Sequence, residues 1–263
     1  IGANVESVGA YAFSECIALT DVVFKDSTID KKTIGNYAFY NCRALSNINF
    51  GNAVTSIGDY AFVMTESLTS IEFPDSLVRI GNYAFSPYSN GYGGSYIEYT
   101  TSNLENIKFG SGIKTIGKQA FYKNEKLKSI DLTGSNLTLI DTGAFQNCIS
   151  LIEINLSGNN LVIESSAFYD DKYLKNVTFG AGIKSIGSNA FYNCLSISEL
   201  NFFDGLDRIY SDAFRNCKSI SLVTLPNTLS SIGNSAFYNC ERITSVHIPD
   251  KVTEIQGGCF TNC

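Results

Sequence analysis

The sequence predicts an α/β solenoid, in which short units stack along one axis and each unit contributes one strand and one short helical turn. The first observation is a period of 23 residues, because seven of the ten intervals between successive Phe residues of one column have this length. The second is that each repeat places Ile or Val five residues before that Phe, and most place a large apolar residue eleven residues after it. Such columns arise when equivalent side chains of successive turns stack into one continuous core.

The Phe residues of this column, here called the anchors, number eleven and predict about eleven repeats. They are Phe13, Phe39, Phe62, Phe85, Phe121, Phe145, Phe168, Phe191, Phe214, Phe237 and Phe260. We interpret residues 1–263 as a single solenoid domain. Neither the first nor the last repeat resembles a polar cap, so we expect the domain to be a fragment of a longer protein.

Each repeat contains two signals of secondary structure. Around the anchor, Ala61, Phe62, Thr65 and Leu68 have the spacing of one face of a short helix. Eight of the eleven repeats place Asn, Asp, Ser or Thr three residues before the anchor, which is typical of helix N-caps. The segment that follows, residues 68–73, alternates apolar and polar residues and therefore predicts a half-buried strand.

One repeat unit shows a family resemblance over its whole length, through Leu68, Ile71, Phe73, Leu77, Ile80, Gly81, Ala84 and Phe85. This pattern resembles the BspA-like, or treponemal-type, leucine-rich repeat, and the resemblance covers essentially the whole chain. It implies a right-handed superhelix with a parallel β-sheet on its concave face and short helical turns opposite. It also implies a secreted or cell-surface protein involved in adhesion and host-protein binding.

Composition excludes two classes of partner. The formal net charge of -6 and the pI of about 4.9 argue against nucleic acid, because binding to the phosphate backbone needs clustered Lys and Arg. No apolar run reaches the roughly 18 residues of a membrane span, so we expect no membrane insertion within the chain. We expect a signal peptide and an anchor outside this fragment, and a monomer.

The eight cysteines predict buried free thiols instead of a disulfide framework. Seven of them lie three residues after an anchor, where other repeats place Thr65, Tyr88, Asn124 or Asp171, so cysteine is replaceable there. No Cys-x-x-Cys pair is present and His247 is the single histidine, which argues against a metal site or a hydrolytic triad. We therefore expect no enzymatic activity, no metal and no cofactor.

Two groups of residues are candidates for binding. The outward side chains of the predicted strands, here called the strand face, are polar and rich in Asn. Their register gives Asp21, Asn47, Asn49, Ser70, Glu72, Asn106, Lys108, Ser129, Asp131, Glu153, Asn155, Asn176, Thr178, Glu199, Asn201, Leu222, Thr224, Ser245 and His247. Of these, the binding candidates are Glu72, Lys108, Asp131, Glu153, Asn155, Glu199 and Asn201.

The second group lies in an insertion of thirteen residues between Phe85 and Leu104. Residues 86–102 predict a loop that bulges from one repeat, and they contain Tyr88, Tyr92, Tyr96 and Tyr99 among Gly, Ser and Asn. Tyr supplies amphipathic contact area while Gly and Ser allow adaptation, as in antibody paratopes. The alternative is that the loop folds back and covers neighbouring turns.

These observations lead to a non-catalytic recognition or adhesion module that binds a protein ligand of a host or another cell surface. Two alternatives stay open at this point. One is an intracellular or structural protein-interaction scaffold, and the other is an accessory carbohydrate-binding module of a larger surface protein.

Overall fold

The computed structural model of the chain describes residues 1–28, 31–89, 98–99, 101–132, 134–156, 158 and 160–263. Within them the chain forms short strands in the following order: β1 (Ser7–Val8), β2 (Asp21–Val23), β3 (Lys32–Ile34), β4 (Asn47–Asn49), β5 (Val54–Ile57), β6 (Ser70–Glu72), β7 (Arg79–Ile80), β8 (Tyr88–Ser89), β9 (Glu98–Tyr99), β10 (Asn106–Lys108), β11 (Thr115–Ile116), β12 (Ser129–Asp131), β13 (Leu139–Ile140), β14 (Glu153–Leu156), β15 (Leu161–Ile163), β16 (Asn176–Phe179), β17 (Ile183–Ile186), β18 (Glu199–Asn201), β19 (Arg208–Ile209), β20 (Leu222–Thr224) and β21 (Ser231–Ile232).

The longest sheet has ten parallel strands, in the order β1-β3-β5-β7-β11-β13-β15-β17-β19-β21. These strands follow one another in chain order, so nine steps link the first to the last and the fold is a parallel β-solenoid of about nine turns. The expected eleven repeats are not confirmed, since residues 253–255 form no strand beside β21. This long sheet was not predicted, although each of its strands ends in the column five residues before the anchors, which contains Ile34, Ile57 and Ile80.

The strands predicted from apolar and polar alternation form a second set of parallel pairings. β6, β10, β12, β14 and β16 make one five-stranded sheet, while β2-β4 and β18-β20 are separate two-stranded sheets. Their pattern is exposed, buried, exposed in most cases, as in β6 and β18, which confirms the predicted inward and outward register. The strand predicted at Ser245–His247 is absent.

The predicted short helical turns are wrong: the described residues contain no helix, and each anchor lies in a series of tight turns. Tyr37 and Asn41, two residues before and after Phe39, both have left-handed φ angles of 57° and 56°. The Ala38 amide donates to the Gly35 carbonyl three residues back, while the Phe39 amide donates to Ala61 of the next turn. Because a helix would need right-handed φ throughout and bonds four residues back, none can form.

The polar residues expected to cap these helices have another role. The Oδ1 of Asn36 accepts from the amide of Asp59, one turn further, at 2.9 Å. Asp59 in turn accepts from the amide of Asn82 at 2.8 Å. These side chains therefore link equivalent positions of successive turns, and the helix-capping interpretation is wrong.

The anchors form one file of stacked rings along the solenoid. Phe39 and Phe62 lie 5.0 Å apart between ring centroids with an interplanar angle of 8°, and Phe191 and Phe214 lie 5.2 Å apart at 3°. Phe residues of the column eleven residues after the anchors contact this file edge-on, as Phe179 contacts Phe191 at an interplanar angle of 76°. One hydrophobic cluster extends from Val8 to Cys259, so the stacked turns share a continuous core.

Candidate binding surface

The strand face consists of side chains, all exposed except the half-buried Ser129, whose positions are fixed by buried neighbours on the same strand. In β14, Ile154 and Leu156 are buried while Glu153 and Asn155 point outward. The pairing register aligns Glu153 with Asn176 and Asn155 with Thr178 of β16. The face is therefore a set of side-chain rows that run across the strands.

The first cluster of predicted site residues surrounds Lys108. The register places Lys108 of β10 between Glu72 of β6 and Asp131 of β12. The Nζ of Lys108 lies 2.6 Å from Oε1 of Glu72. The hydrogen bond and charge of Glu72 raise the pKa of Lys108 above its ordinary value, and Asp131 adds to this effect. Because both side chains of the pair are exposed, the pair contributes little to stability and its charges remain accessible.

Other polar side chains of the face are also joined between turns. The side-chain Nδ2 of Asn47 donates to Asp21 at 3.2 Å. The hydrogen bond from Thr20 and, to a smaller extent, this bond from Asn47 lower the pKa of Asp21. Ser129 donates to Asn106 at 2.9 Å and Thr224 donates to Asn201 at 3.3 Å. These bonds run along the solenoid and use part of the hydrogen-bonding capacity of the face.

Three surface cavities lie over the strand face. A cavity of about 730 Å³ includes Glu72 and Lys108 and lies where the sheet is interrupted between β4 and β6. A second, of about 310 Å³, includes Asp131, Glu153 and Asn155. A third, of about 350 Å³, includes Glu199 and Asn201 and lies at the interruption between β16 and β18. The face candidates therefore fall into three neighbouring groups.

The structure adds residues that sequence reasoning missed. Phe203, Lys175 and Val177 line the third cavity. Phe203 is 54% exposed, and Leu222 on the neighbouring strand is 51% exposed. A signal for Phe203 was present in the sequence, since it is the one Phe of eighteen that belongs neither to the anchor column nor to the column eleven residues later.

The insertion candidates are only partly described. Tyr88 of β8 pairs with Tyr99 of β9 in an antiparallel ladder, so the insertion begins and ends as a two-stranded ribbon instead of a simple loop. Tyr92 and Tyr96 lie outside the described residues. The paratope-like role of these tyrosines therefore stays a prediction.

The cysteines lie where the register predicts, and all eight are free thiols in the structure. The Sγ of Cys194 donates to the carbonyl of Phe168 in the preceding turn at 3.1 Å, and Cys217 and Cys240 repeat this bond with Phe191 and Phe214. Burial raises the pKa of Cys42 to about 11 and that of Cys194 well above its ordinary value. These thiols are therefore protonated structural groups with little nucleophilic character.

Potential metal ligands do not cluster in the described part of the chain. No group of three or more His, Cys, Asp or Glu residues there is placed to hold a metal ion. His247 is exposed at the surface. Among the described residues, no helix has the length and apolar character needed to cross a membrane.

Comparison with known proteins agrees with this architecture. The sequence model of one protein family, the BspA type leucine rich repeat region, matches residues 1–91, 94–194 and 138–263 of the chain. A solved leucine-rich repeat protein from Bacteroides ovatus is 25% identical with a TM-score of 0.59, over 92% of this chain and 70% of that one. No curated protein matches the chain significantly.

Two further solved structures are similar to the chain. A leucine-rich repeat protein from Eubacterium ventriosum is 23% identical with a TM-score of 0.45, over 99% of this chain and 81% of that one. A leucine rich cell surface protein from Faecalibacterium prausnitzii is 21% identical with a TM-score of 0.42, over 93% of this chain and 76% of that one.

Proposed function

Because the chain belongs to the BspA-type leucine-rich repeat family, we propose that it is a non-catalytic recognition module of a secreted or cell-surface protein, which binds a protein ligand through its strand face. The family implies a protein-interaction role. The observation that carries the proposal is the five-stranded sheet from β6 to β16, whose outward residues are exposed and differ from turn to turn. A regular buried core with a variable exposed face is suited to recognition, because the ligand meets side chains held on a rigid scaffold.

The charge of the face indicates the kind of partner. Glu72, Asp131, Glu153 and Glu199 outnumber Lys108 among the predicted site residues. An acidic surface favours a partner with a basic patch, and such complementarity mainly raises the association rate. The proposed ligand is therefore a protein that presents Lys and Arg to this face, and host extracellular proteins are the candidates to test.

Surface plasmon resonance with a panel of purified host extracellular-matrix proteins tests the proposal. We expect at least one protein of the panel to bind the chain, and Glu153→Lys to weaken that binding by tenfold or more. Glu254→Lys is the matched control, since it makes the same charge change at an exposed position equivalent to Ser231 of β21, away from the strand face. Equal effects of the two variants would rule out recognition through the strand face.

The insertion can be tested with the same ligand. A variant that lacks residues 88–100 removes Tyr88, Tyr92, Tyr96 and Tyr99 together and restores the 23-residue interval. If the tyrosines contribute contacts, this variant loses affinity while the Glu153→Lys effect persists in it. Unchanged affinity would assign recognition to the strand face alone.

A further inference from the structure

A continuous groove crosses the strand face from β12 to β18. The cavities of about 310 Å³ and about 350 Å³ share two lining residues, Asn176 and Thr178, so they meet over β16. The larger of the two cavities lies where the five-stranded sheet stops and the β18-β20 pair begins. At this interruption Val177 is only half-buried, although its register equivalents Ile154 and Leu200 are buried.

Several polar side chains of this groove make no bond within the described part of the protein, although Ser129 and Asn201 do. Elsewhere on the face, pairs such as Lys108 with Glu72 and Asn47 with Asp21 are joined between turns. In the described structure, by contrast, Glu153, Asn155, Asn176, Thr178 and Glu199 have no side-chain hydrogen bond or ion pair, and neither does Lys175 at the rim. A row of amides, a hydroxyl and carboxylates therefore offers both donors and acceptors to a ligand.

An aromatic ring closes one end of the groove. Phe203 lines the third cavity and is 54% exposed. A large apolar side chain that is exposed beside free polar groups marks a candidate contact site. Flat aromatic faces pack against the C–H face of a pyranose ring, while the sugar hydroxyls, which both donate and accept, bind amides and carboxylates.

We propose that this groove binds a neutral glycan, with Phe203 as the packing surface for one sugar ring and Asn176, Thr178 and Glu199 as its hydrogen-bonding groups. Each cavity is of the size of a small ligand and too small for a protein partner of its own. Asp131, Glu153 and Glu199 outnumber Lys175, which disfavours uronic or sialic acids. The site goes beyond the proposed protein recognition and does not depend on it.

Isothermal titration calorimetry with neutral tetrasaccharides tests the glycan site. The probes are the tetramers of β-1,4-glucose, α-1,4-glucose, β-1,4-mannose and β-1,4-N-acetylglucosamine. We expect at least one of them to bind with one-to-one stoichiometry, and Phe203→Ala to weaken that binding by tenfold or more. Tyr173→Ala is the matched control, because Tyr173 is an aromatic residue that is 65% exposed and lies outside the groove.

The contrary outcomes are distinct. The proposal fails if none of the four tetramers binds, or if Phe203→Ala and Tyr173→Ala bind equally well. A Lys-rich peptide that binds in a salt-dependent manner and is lost in Glu199→Gln would assign the groove to a basic peptide. If no protein of the extracellular-matrix panel binds the chain while a tetramer does, the proposed function is overturned and the glycan site is retained.

Discussion

One side-chain position in each turn illustrates how the same local environment accepts different residues. Three residues after the anchor, Cys194 donates to the carbonyl of the preceding anchor, Phe168. At the same position, Asn124 donates to both Phe85 and Phe121, at 3.1 and 2.8 Å. The requirement is therefore a small buried donor that satisfies an anchor carbonyl. The register predicted the position, but the hydrogen bond depends on spacing between turns, which no single repeat encodes.

Asp171 is the occupant that fits this position least well. It is fully buried, its Oδ1 accepts from the Cys148 amide at 2.7 Å, and its Oδ2 has no partner. Burial raises the pKa of Asp171 well above its ordinary value, although the Cys148 bond opposes this. The folded state therefore holds the proton more tightly than the unfolded state, whose pKa is about 3.9. The stability from this group is complete below that value and is lost as pH rises through the folded pKa.

Replacing Asp171 by Asn removes this titration and, as Asn124 shows, leaves a side chain that fits the position. We expect Asp171→Asn to raise the free energy of unfolding near pH 7 by about 1–3 kcal/mol, the usual effect of removing an unsatisfied buried group. The gain should shrink towards pH 4. Urea unfolding at both pH values measures the difference, and parallel pH profiles of the two proteins would contradict it.

The cysteines should differ in reactivity according to their burial. Cys148, Cys194 and Cys217 are fully buried and their pKa values are raised well above the ordinary value, mainly by burial. Cys263 is exposed. We expect a thiol reagent to label Cys263 of the native protein quickly and the buried cysteines slowly. In the denatured protein without reductant, all eight cysteines should be labelled. Mass spectrometry of the labelled protein would disprove this expectation by finding disulfide-linked peptides.

At the scale of the element, the turns around the anchors explain why helices were expected and are absent. Apolar residues four and seven positions apart match one face of a helix, yet the same spacing results from tight turns that return to the core. Left-handed φ angles at Asn193 and Asn216 exclude a helix. Asn adopts this conformation more readily than other non-Gly residues, and its recurrence two residues after the anchor was the overlooked signal. The strands of the strand face, whose alternation has no such ambiguity, were predicted in their correct register except at residues 245–247.

These Asn residues also form a ladder of side chains between turns. The Nδ2 of Asn216 donates to Asn193 at 2.8 Å, and its Oδ1 accepts from Asn239 at 2.9 Å. The ladder continues from Asn193 to the carboxylate of Asp170 at 2.8 Å. The ladder therefore adds cross-turn bonds at the positions where the backbone is left-handed.

Substitutions of Asn216 separate the two contributions. Asn216→Gly keeps the left-handed backbone and loses the ladder bonds, which should cost about 0.5–1.5 kcal/mol per bond. Asn216→Val also loses the bonds and places a β-branched residue at a φ of 63°, so it should be less stable than Asn216→Gly by a further 1–2 kcal/mol or so. Thermal unfolding of both variants measures these differences. Equal stability of the two would show that backbone strain is unimportant at this turn.

At the scale of the whole molecule, stability is distributed over contacts between neighbouring turns. Each anchor ring stacks only on the rings before and after it, as Phe191 does on Phe168 and Phe214 at 5.1 and 5.2 Å. The repeat period allowed the stacking order to be predicted from sequence. The interruptions of the strand-face sheets beside β6 and β18 could not be predicted, because unpaired neighbours such as β4 and β6 have the same alternation of exposed and buried residues as strands that do pair.

The insertion offers a test of this nearest-neighbour architecture. Removal of residues 88–100 joins Pro87 to Thr101 and places Thr101 three residues and Leu104 six residues after Phe85. Thr65 occupies the equivalent position in the preceding turn and donates to its anchor carbonyl, Phe62, at 2.8 Å. Leu68 is the buried equivalent of Leu104. The shortened repeat therefore has suitable residues at both core positions, so the neighbouring turns can stack as before.

We expect the shortened protein to fold, with a circular dichroism spectrum rich in β-structure and one cooperative thermal transition. Its Tm should lie within a few degrees of the parent, because a shorter loop lowers the entropic cost of closure only slightly. Deletion of thirteen residues inside a regular repeat, such as 146–158, is the control, since it removes the buried side chains of Cys148, Leu151, Ile154 and Leu156 and should unfold the protein. If the shortened protein were as unstable as this control, residues 88–100 would be part of the solenoid core and not an addition to it.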